Sequence, residues 1–410
     1  MTVGDARYLA AQRADLLRFA AKARVDEGFG WLDDLGRVVP AQGVQLWITC
    51  RMTHTAALGL LADEPSLPGG PRTAELAELV DHGVRSLSGL QRDDENGGWF
   101  ARVGEGRIQD DAKEAYGHAF VVLAASSALA AGRPGADALL EDALEVLLGR
   151  FWESETGLAV DRWDAAWTRC DDYRGINANM HTVEALLAAG DVLGDSTLHA
   201  RAERIVERVV DWARPMQWRI PEHFTRDWEP MLEHHADQPA HPFQPYGATV
   251  GHGIEWARLI AATHATVGVE GEGLLDAAVS LYDRAVADGW HADGADGFVY
   301  TTDWAGKPVV AERMHWVAAE AANTASVLAA ATGESRFDDD VARWWAYIDA
   351  YLVDESHGSW RHELDPHNRP SATVWTGKPD IYHAYQAALL PELPIAPAFA
   401  QSLRLRSGVR

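Results

Sequence analysis

The chain has 410 residues with 61 acidic and 36 basic side chains, so its formal net charge is −25. This charge argues against a nucleic-acid partner or an anionic membrane surface, because both need basic patches. No apolar run reaches the roughly 18 residues of a membrane-spanning helix, and the N-terminus lacks the apolar core of a signal peptide. Two cysteines, Cys50 and Cys170, cannot build a disulfide framework. We therefore expect a cytoplasmic protein without a nucleic-acid or membrane partner.

Helical patterns dominate the chain, in segments rich in Ala and Leu whose apolar residues recur at a spacing near 3.6. This spacing predicts helices over 73–90, 114–131, 136–151, 181–193, 198–213, 252–267, 274–288, 317–331 and 337–352. Stop signals for these helices are present at Gly132, Gly190, Gly268 and Gly333. Gly-rich turns predict small hairpins around Trp99, Leu158, Phe298 and Trp360. No linker or charge block divides the chain, so we predict one catalytic domain over residues 1–410.

An acidic, Gly-rich turn that ends in Trp occurs twice. Asp94-Glu-Asn-Gly-Gly-Trp99 is matched by Asp354-Glu-Ser-His-Gly-Ser-Trp360, and related turns lie near Gly36, Gly157 and Gly297. The spacing indicates a repeated unit of about 65 residues, and six such units would account for nearly the whole chain. Each unit has room for two helices and a turn.

A helix start that carries polar or aromatic groups follows each turn. The pairs are Trp47/Arg51, Tyr116/His118, Asn177/His181, His252/Glu255, Trp316/Glu320 and Tyr382/His383. Such groups would be wasted in a core, but they make sense if every unit sends one helix end to a shared pocket. We therefore predict an all-α (α/α)6 barrel of six helical hairpins, with small β-hairpins in the connecting loops. The alternative is an open helical solenoid without a common pocket, which would usually show a shorter repeat.

Three histidines open helices at the repeat interval, and each has an acidic neighbour within one turn. His252 precedes Glu255 by three residues, and Asp380 precedes His383 by three. His181 is the third case, with Glu184 one turn further on. A carboxylate at this spacing can hold one ring nitrogen and leave the other for chemistry. A capping or core role is the bland reading of any one histidine, but three together favour a His-centred site.

Arg51 lies four residues after Trp47, so the two side chains share a helical face. An aromatic ring beside a guanidinium suits a sugar, because the ring can stack while the guanidinium binds oxygen. A cation–π packing pair in the barrel wall is the alternative. Glu320 follows Trp316 on another helix face and could instead make a structural hydrogen bond. Tyr116 is the weakest of these candidates.

Several familiar chemistries are absent from the sequence. It contains no P-loop, no Gly-x-Ser-x-Gly elbow and no His-Glu-x-x-His or Cys-x-x-Cys zinc pattern. The pair His234-His235 looks like part of a loop, although a fortuitous metal site among the His and Glu groups is an alternative. We expect neither a metal nor another cofactor.

The helix-start motifs resemble the N-acylglucosamine 2-epimerase superfamily, and within it the aldose–ketose isomerases that act on mannose or sulfoquinovose. The resemblance covers about residues 30–390. It is carried by Trp47-x3-Arg51, Asn177-Ala-Asn-Met-His181, Pro245-Tyr-Gly-Ala-Thr-x-Gly-His-Gly-x-Glu-Trp-Ala-Arg258, Met314-His-Trp-Val-x-Ala-Glu320 and Gly377-Lys-Pro-Asp-x-Tyr-His383. No single motif is specific, but the set is.

The resemblance implies an (α/α)6 barrel and a metal-independent 1,2-isomerase. It implies His252 and His383 as the catalytic pair. The sugar-binding positions that it implies are Arg51, Tyr116, Asn177, His181, Glu255, Trp316 and Glu320, to which the residue patterns add Trp47 and Asp380.

For such an isomerase we expect proton transfer between carbons 1 and 2 through a cis-enediolate. His383 would open the sugar ring, and His252 would move the carbon-bound proton with Glu255 orienting it. Arg51, helped by His181, would stabilise the oxyanion. The roles of the two histidines could be exchanged.

The expected substrate is a neutral monosaccharide, D-mannose interconverting with D-fructose, with D-lyxose and D-xylulose as a further pair. Gln244 stands where a sulfonated sugar would need a cation, which disfavours sulfoquinovose. A sugar 2-epimerase is the nearest alternative, since it shares the fold and the base. A glycoside hydrolase would need two opposed carboxylates, for which Asp171, Asp172, Asp303 and Glu363 are available. A sugar-binding barrel without activity is a third alternative, and either a monomer or a homodimer fits the sequence.

Overall fold

The computed structural model describes residues 2–63, 70–268 and 273–407. Six helices form an inner ring: α2 (Leu46–Leu61), α4 (Ala115–Ala130), α6 (Ile176–Leu193), α8 (Val250–Val267), α10 (His315–Thr332) and α12 (Tyr382–Leu389). Six outer helices surround them: α1 (Ala6–Ala20), α3 (Thr73–Leu87), α5 (Ala136–Val146), α7 (Ser196–Ala213), α9 (Leu274–Gly289) and α11 (Arg336–Tyr347). A thirteenth helix, α13 (Phe399–Ser407), follows the ring. The predicted (α/α)6 barrel is confirmed.

The ring closes because α12 packs against both α10 and α2. Its outer partner is α1, so the sixth hairpin is assembled from the two ends of the chain. Helix α13 packs against α2, α4 and α6, and the segment before it lies against the C-terminal halves of inner helices. The C-terminal segment therefore covers one end of the barrel, and the opposite end, where the inner helices begin, holds the connecting loops.

Inner and outer helices differ in how apolar residues are distributed. Helix α4 is buried on nearly every face, because outer helices cover it on one side and inner neighbours on the other. Helix α7 buries one stripe, Leu198, Ala202, Ile205, Val206, Val209 and Val210, and turns a charged face to solvent. The outer helices therefore have the clear amphipathic pattern. In α2 the pattern is weak, because polar residues such as Thr49, Thr53 and His54 are buried along with the apolar ones.

Short antiparallel strands stitch the hairpins together at the loop end of the barrel. They are β1 (Arg24–Val25), β2 (Gly28–Phe29), β3 (Val44–Gln45), β4 (Arg102–Gly104), β5 (Arg107–Asp110), β6 (Lys113–Glu114), β7 (Trp152–Glu153), β8 (Leu158–Ala159), β9 (Arg162–Trp163), β10 (Arg174–Gly175), β11 (His223–Phe224), β12 (Ala248–Thr249), β13 (Thr301–Thr302), β14 (Pro308–Val310), β15 (Arg313–Met314) and β16 (Glu363–Leu364). The strand before an inner helix pairs with the segment after the next outer helix, as in β3–β4, β6–β9, β10–β11, β12–β13 and β15–β16. These pairings fix where each inner helix begins.

The recurring acidic turn has a structural role at the same rim. Asp93 accepts a hydrogen bond from Lys113 Nζ at 2.7 Å, and Asp354 accepts one from Lys378 Nζ at 2.6 Å. Each lysine is buried and lies just before an inner helix, so the ion pair ties the turn to that helix start. The predicted hairpins form around these turns: Trp99, Phe298 and Trp360 each make a bridge across the turn, and Leu158 belongs to β8.

The helix boundaries largely follow the predicted segments, with two differences. Gly190 does not end its helix, since α6 continues to Leu193 and the left-handed Gly194 caps it. A Cβ on Gly190 would lie 2.4 Å from the ring of His199, so glycine is needed there for close helix packing. Helices α5 and α11 end earlier than predicted, and each is followed by a single π-helical turn, 147–151 and 348–352. Within the described part of the chain, no helix is long and apolar enough to cross a membrane.

Candidate active site

A cavity lies where the inner helices begin. The first turns of the inner helices, or the residues just before them, supply its wall with Trp47, Arg51, Tyr116, Asn177, His181, His252, Glu255, His315, Trp316, Asp380 and His383. Loop residues complete it with Pro242, Phe243, Pro245, Tyr300, Met314, His362, Trp375 and Pro379. It encloses about 90 Å³. That is room for about six to nine waters at about 10–15 Å³ each, which is the scale of a small ligand such as one sugar ring.

A larger cavity, of about 440 Å³, lies at the other end of the barrel. Its wall is mostly apolar and comes from the C-terminal halves of α6, α8 and α10 and from the segment 390–399. No histidine lines it, so the titratable groups suited to proton transfer belong to the smaller cavity.

His252 is held by a carboxylate that the sequence pattern did not reveal. Its Nδ1 lies 2.9 Å from Glu222 Oε2, and its Nε2 makes no hydrogen bond to a described residue. Glu255 was expected to orient His252, but its carboxylate faces Arg258, whose Nη2 lies 3.5 Å away. Glu222 lies in the loop after α7, and its carbonyl accepts a hydrogen bond from Ile176 N at 3.1 Å. This backbone bond fixes the loop, so that the carboxylate sets the ring orientation of His252.

His383 has an equivalent partner inside the barrel. Its Nδ1 lies 2.9 Å from Glu320 Oε1, and Arg258 Nε donates to the other oxygen, Oε2, at 2.7 Å. Burial, followed by the charge of Arg51, lowers the pKa of His383 well below its ordinary range. Glu320 was expected to bind sugar. Instead it is fully buried beneath the cavity and contacts His383 and Arg258.

Trp316 lies between the two histidines. Its ring is tilted over His252 at 5.3 Å and over His383 at 5.7 Å between centroids. Trp316 lines the cavity, so a sugar ring held against it would have one imidazole on each side. The arrangement places two acid–base groups at one small substrate.

Arg51 provides the positive charge at the cavity. Its Nη1 donates to Asp380 Oδ2 at 3.2 Å and its Nη2 to the Tyr116 hydroxyl at 3.0 Å. The guanidinium lies over Trp47 at 5.0 Å and over Tyr382 at 4.6 Å from the ring centroids. Asp380 therefore pairs with Arg51, and the expected pairing with His383 is not formed, because Glu320 already holds that ring.

His181 forms the expected pair with Glu184, at 3.3 Å from Nδ1 to Oε2. Burial lowers the pKa of His181 to about 4, which keeps the ring neutral. Burial alone would raise the pKa of Glu184, but the hydrogen bond from His181 and the charge of Arg258 lower it. Tyr382 donates its hydroxyl hydrogen to the same carboxylate. His181 is thereby available as a neutral hydrogen-bonding group in the wall.

Three donor atoms could hold a metal ion, one each from Glu255, Glu320 and His383, and they lie within 4.8 Å of one another. Arg258 already contacts both carboxylates. A divalent cation at this point would have to displace or repel that guanidinium. Burial and the neighbouring Glu320 raise the pKa of Glu255 well above its usual range, which further disfavours a doubly ionised metal site.

Most predicted site residues line the cavity, and some important ones were missed. His118 is absent from the wall, since its Nε2 accepts from Trp99 N at 3.1 Å and it thereby anchors a turn. Glu222, His315, His362, Tyr300 and Trp375 were not predicted, because they come from loops or lie beside the residues that the repeat singled out. His315 could have been found from its position next to Trp316 at a helix start.

Arg51 is the one Arg or Lys side chain that lines the cavity in the described residues. Gln244 lies outside the inner cavity, where its Oε1 lies 3.0 Å from His234 Nε2. The cavity therefore has a single cation, already paired with Asp380, and suits an uncharged ligand better than an anion.

Comparisons with known proteins agree with this geometry. The family model for N-acylglucosamine 2-epimerase matches residues 28–387. D-mannose isomerase from Thermobifida fusca is 48% identical over 98% of this chain and 99% of the relative. D-mannose isomerase from Pseudomonas cannabina pv. alisalensis is 44% identical over 97% of this chain and 95% of the relative.

A solved structure gives the same result at the level of the fold. The crystal structure of a D-mannose isomerase superposes with a TM-score of 0.86 at 26% identity, covering 94% of this chain and 97% of that chain. The matched segment of the family model includes five inner helices, most of the sixth, and both His252 and His383. The chain belongs to the N-acylglucosamine 2-epimerase family.

Proposed function

We propose that the protein is an aldose–ketose isomerase that interconverts D-mannose and D-fructose. The observation that carries the proposal is the pair of imidazoles, His252 and His383, on either side of Trp316 in a small cavity at the start of the inner helices. Relatives at 44% and 48% identity over nearly the whole chain are D-mannose isomerases, which supports the choice of reaction and sugar. D-Lyxose and D-xylulose are proposed as a second, smaller substrate pair.

The reaction moves a proton between carbon 2 of the aldose and carbon 1 of the ketose. Positioned acid–base catalysis by a side chain contributes about 10²–10⁴-fold. His252 is suited to take and return this proton, because the Glu222 carboxylate holds its Nδ1 and leaves Nε2 without a hydrogen bond to a described residue. The proton that leaves carbon 2 gives a cis-enediolate and is returned to carbon 1. The hydroxyl proton on oxygen 2 moves to oxygen 1 in the same exchange, so the carbonyl group passes from carbon 1 to carbon 2.

His383 is suited to a different step. Its low pKa keeps the ring neutral near pH 7, and with Nδ1 donating to Glu320 its Nε2 is an acceptor. A neutral imidazole can accept the anomeric hydroxyl proton and pass it to the ring oxygen, which opens the pyranose. We assign ring opening to His383 and carbon-proton transfer to His252.

The enediolate carries negative charge on its oxygens. Arg51, Tyr116 and His181 line the same wall and offer a guanidinium, a hydroxyl and an imidazole to those oxygens. The N-terminal ends of the inner helices point at the cavity as well, and their dipoles favour negative charge there. Preorganised donors of this kind are often the largest catalytic contribution.

The alternative reaction of a 2-epimerase would return the proton to carbon 2 on the opposite face. The family takes its name from a 2-epimerase, so the test must be able to detect this alternative product. The four carboxylates that the sequence offered for the hydrolase alternative, Asp171, Asp172, Asp303 and Glu363, do not line the cavity. Glu363 accepts the backbone hydrogen bonds of Val374 and Trp375 at 2.8 and 2.7 Å, which is a structural role.

The test is NMR of the EDTA-treated protein with D-mannose in D2O, with His252→Ala as control. Appearance of fructose supports the isomerase, and deuterium at its carbon 1 measures proton exchange with solvent. Glucose without fructose would replace the proposal with 2-epimerisation. No product from mannose, lyxose or fructose would overturn it.

A further inference from the structure

The loop 242–245 forms part of the cavity wall. Pro242, Phe243 and Pro245 line the cavity, and Phe243 lies edge-on against Trp375 with ring centroids 5.1 Å apart. The same loop borders an outer cavity of about 690 Å³ on the side of the connecting loops. Its position therefore decides how closed the inner cavity is.

Histidine side chains hold the carbonyl groups of this loop. His235 Nδ1 donates to the carbonyl oxygen of Gln244 at 2.8 Å. His223 Nε2 donates to the carbonyl oxygen of Pro245 at 2.8 Å, and its Nδ1 lies 2.7 Å from the Tyr173 hydroxyl.

His241 holds the amide groups of the loop. Its Nδ1 accepts a hydrogen bond from Phe243 N at 3.3 Å and one from Gln244 N at 3.0 Å. An imidazole nitrogen can accept only while it carries no proton. Protonation of His241 Nδ1 would place an N–H group against two N–H donors, so both bonds would be lost.

The four histidines form one continuous row. Ring centroids are 4.6 Å apart from His223 to His234, 4.0 Å from His234 to His235, and 4.6 Å from His235 to His241. Neutral rings can stack at these distances, whereas neighbouring positive rings repel one another. The row therefore couples the charge state of each ring to that of the next.

We propose that His223, His234, His235 and His241 form a latch that holds the loop 242–245 in the cavity wall while their rings are neutral. His241 is its acid-sensitive positioning residue, because protonation reverses the polarity of its two bonds to the loop. Acid then loosens the wall and weakens sugar binding, separately from any effect on the catalytic histidines. The kinetic consequence rests on the proposed function, and the state of the loop does not.

The surroundings of the row set where it responds. Burial lowers the pKa of His223 to about 4, against the raising effects of its bond to Pro245 and of Glu222. Burial, with the nearby His235 and His234, lowers the pKa of His241 below its ordinary value. Tyr173 is the titratable group packed on the row from the loop before α6. Burial therefore favours the neutral form of both His223 and His241, the two rings at the ends of the row.

The first experiment follows hydrogen exchange of the segment 234–246 at pH 7.5 and 5.5, corrected for the intrinsic rate. In the wild-type chain we expect about tenfold faster corrected exchange at pH 5.5, with α4 still protected as an internal check on global unfolding. His241→Asn keeps an acceptor oxygen in the same place but does not titrate, so its segment should stay protected at both pH values. His241→Leu should exchange fast at both.

The matched control is His291→Asn, which makes the same change at a half-exposed histidine paired with Asp296. It should behave like the wild type. Equal protection of the segment at both pH values in the wild type and in His241→Leu would overturn the latch, as would acid-dependent exchange that is unchanged in His241→Asn.

The second experiment measures KM and kcat for D-mannose over the same pH range. The KM of the wild type should rise about three- to tenfold more at pH 5.5 than that of His241→Asn, as expected for the loss of one or two hydrogen bonds. An equal rise in both proteins would overturn the latch. Absence of turnover with normal exchange behaviour would contradict the proposed function and leave the latch supported.

Discussion

His252 and His383 are each held by a glutamate, but the surroundings of the two pairs differ. Each imidazole has Nδ1 held 2.9 Å from a glutamate oxygen. Glu222 comes from the loop after α7, and its second oxygen has no hydrogen-bond partner among the described residues. Glu320 lies in the barrel interior, and Arg258 donates to its second oxygen. The same contact therefore occurs beside an unpaired carboxylate oxygen on one side and beside a paired one on the other.

The difference shows that a neighbouring carboxylate alone does not define the role of a histidine. Arg51 and burial lower the pKa of His383 in spite of its bond to Glu320. The burial and the surrounding charges decide which form of the ring is stable. Four experiments test whether the two histidines and their surroundings differ in this way.

Removal of either imidazole should have the largest effect on activity. For His252→Ala and His383→Ala we expect kcat to fall about 10²–10⁴-fold, because each loses an acid–base group at the substrate. Steady-state kinetics with D-mannose tests this, with far-UV circular dichroism to check folding. The two variants should differ in one respect: His383→Ala should regain activity with a ring-opened substrate analogue, and His252→Ala should not. Near-normal turnover by His252→Ala would contradict the mechanism.

Removal of each carboxylate charge should separate catalysis from stability. Glu222→Gln should lower kcat by about 10–100-fold with a smaller change in Tm, since its one side-chain hydrogen bond is to His252 and its other oxygen has no partner among the described residues. Glu320→Gln should also lower the free energy of unfolding by about 3–5 kcal/mol, because it breaks a buried ion pair with Arg258. Thermal unfolding and kinetics of both variants provide the measurement. Equal losses of stability would show that the two settings are equivalent.

Acid should destabilise the fold through its buried neutral histidines. Burial lowers the pKa of His54 and His315 to about 4 and that of His118 to about 3, whereas an unfolded histidine titrates near 6.5. Below pH 6.5 the unfolded chain binds more protons than the folded one, so the free energy of unfolding falls as the pH drops from about 6.5 to 4. Urea denaturation at pH 7.5, 6 and 5 measures this loss. A free energy of unfolding that rises as the pH falls from 7.5 to 5 would contradict this prediction.

Chelation should have the smallest effect. The three donor atoms that could hold a metal lie on the His383 side, where Arg258 occupies the carboxylates. We therefore expect EDTA treatment to leave kcat and KM for D-mannose unchanged. Restoration of lost activity by a divalent cation after dialysis would show that the Glu255, Glu320 and His383 group is a metal site.

Much of the architecture could be predicted because the repeat is local. Five turn signals and six helix-start motifs recur along the chain, and two of the turns end in Trp99 and Trp360. Periodicity located five of the six outer helices, since one apolar face and one charged face give a clear pattern. Helices α1 and α13 were not predicted. Of α2 and α12 only the starts were, because buried polar residues in α2 and the short length of α12 obscure their periodicity.

The partners of the site residues were less predictable. Spacing along one helix suggested Glu255 for His252 and Asp380 for His383, but Arg258 and Arg51 attract those carboxylates. The actual partner of His252, Glu222, lies 30 residues away in the sequence on a different element. Spacing along the sequence cannot show which of several nearby carboxylates will pair with a histidine and which will pair with an arginine.

Turn chemistry and helical periodicity act over a few residues, so the sequence alone is enough to predict six units that each place one polar helix start at a common rim. The assembly of the sixth hairpin from the two chain ends, through α1 and α12, is seen only in the three-dimensional structure. The structure also shows that Glu222 and Glu320 hold the two histidines. These contacts depend on burial and on charges that come from distant segments of the chain. A buried guanidinium such as Arg258 pairs with the carboxylates that the closed ring of helices places beside it.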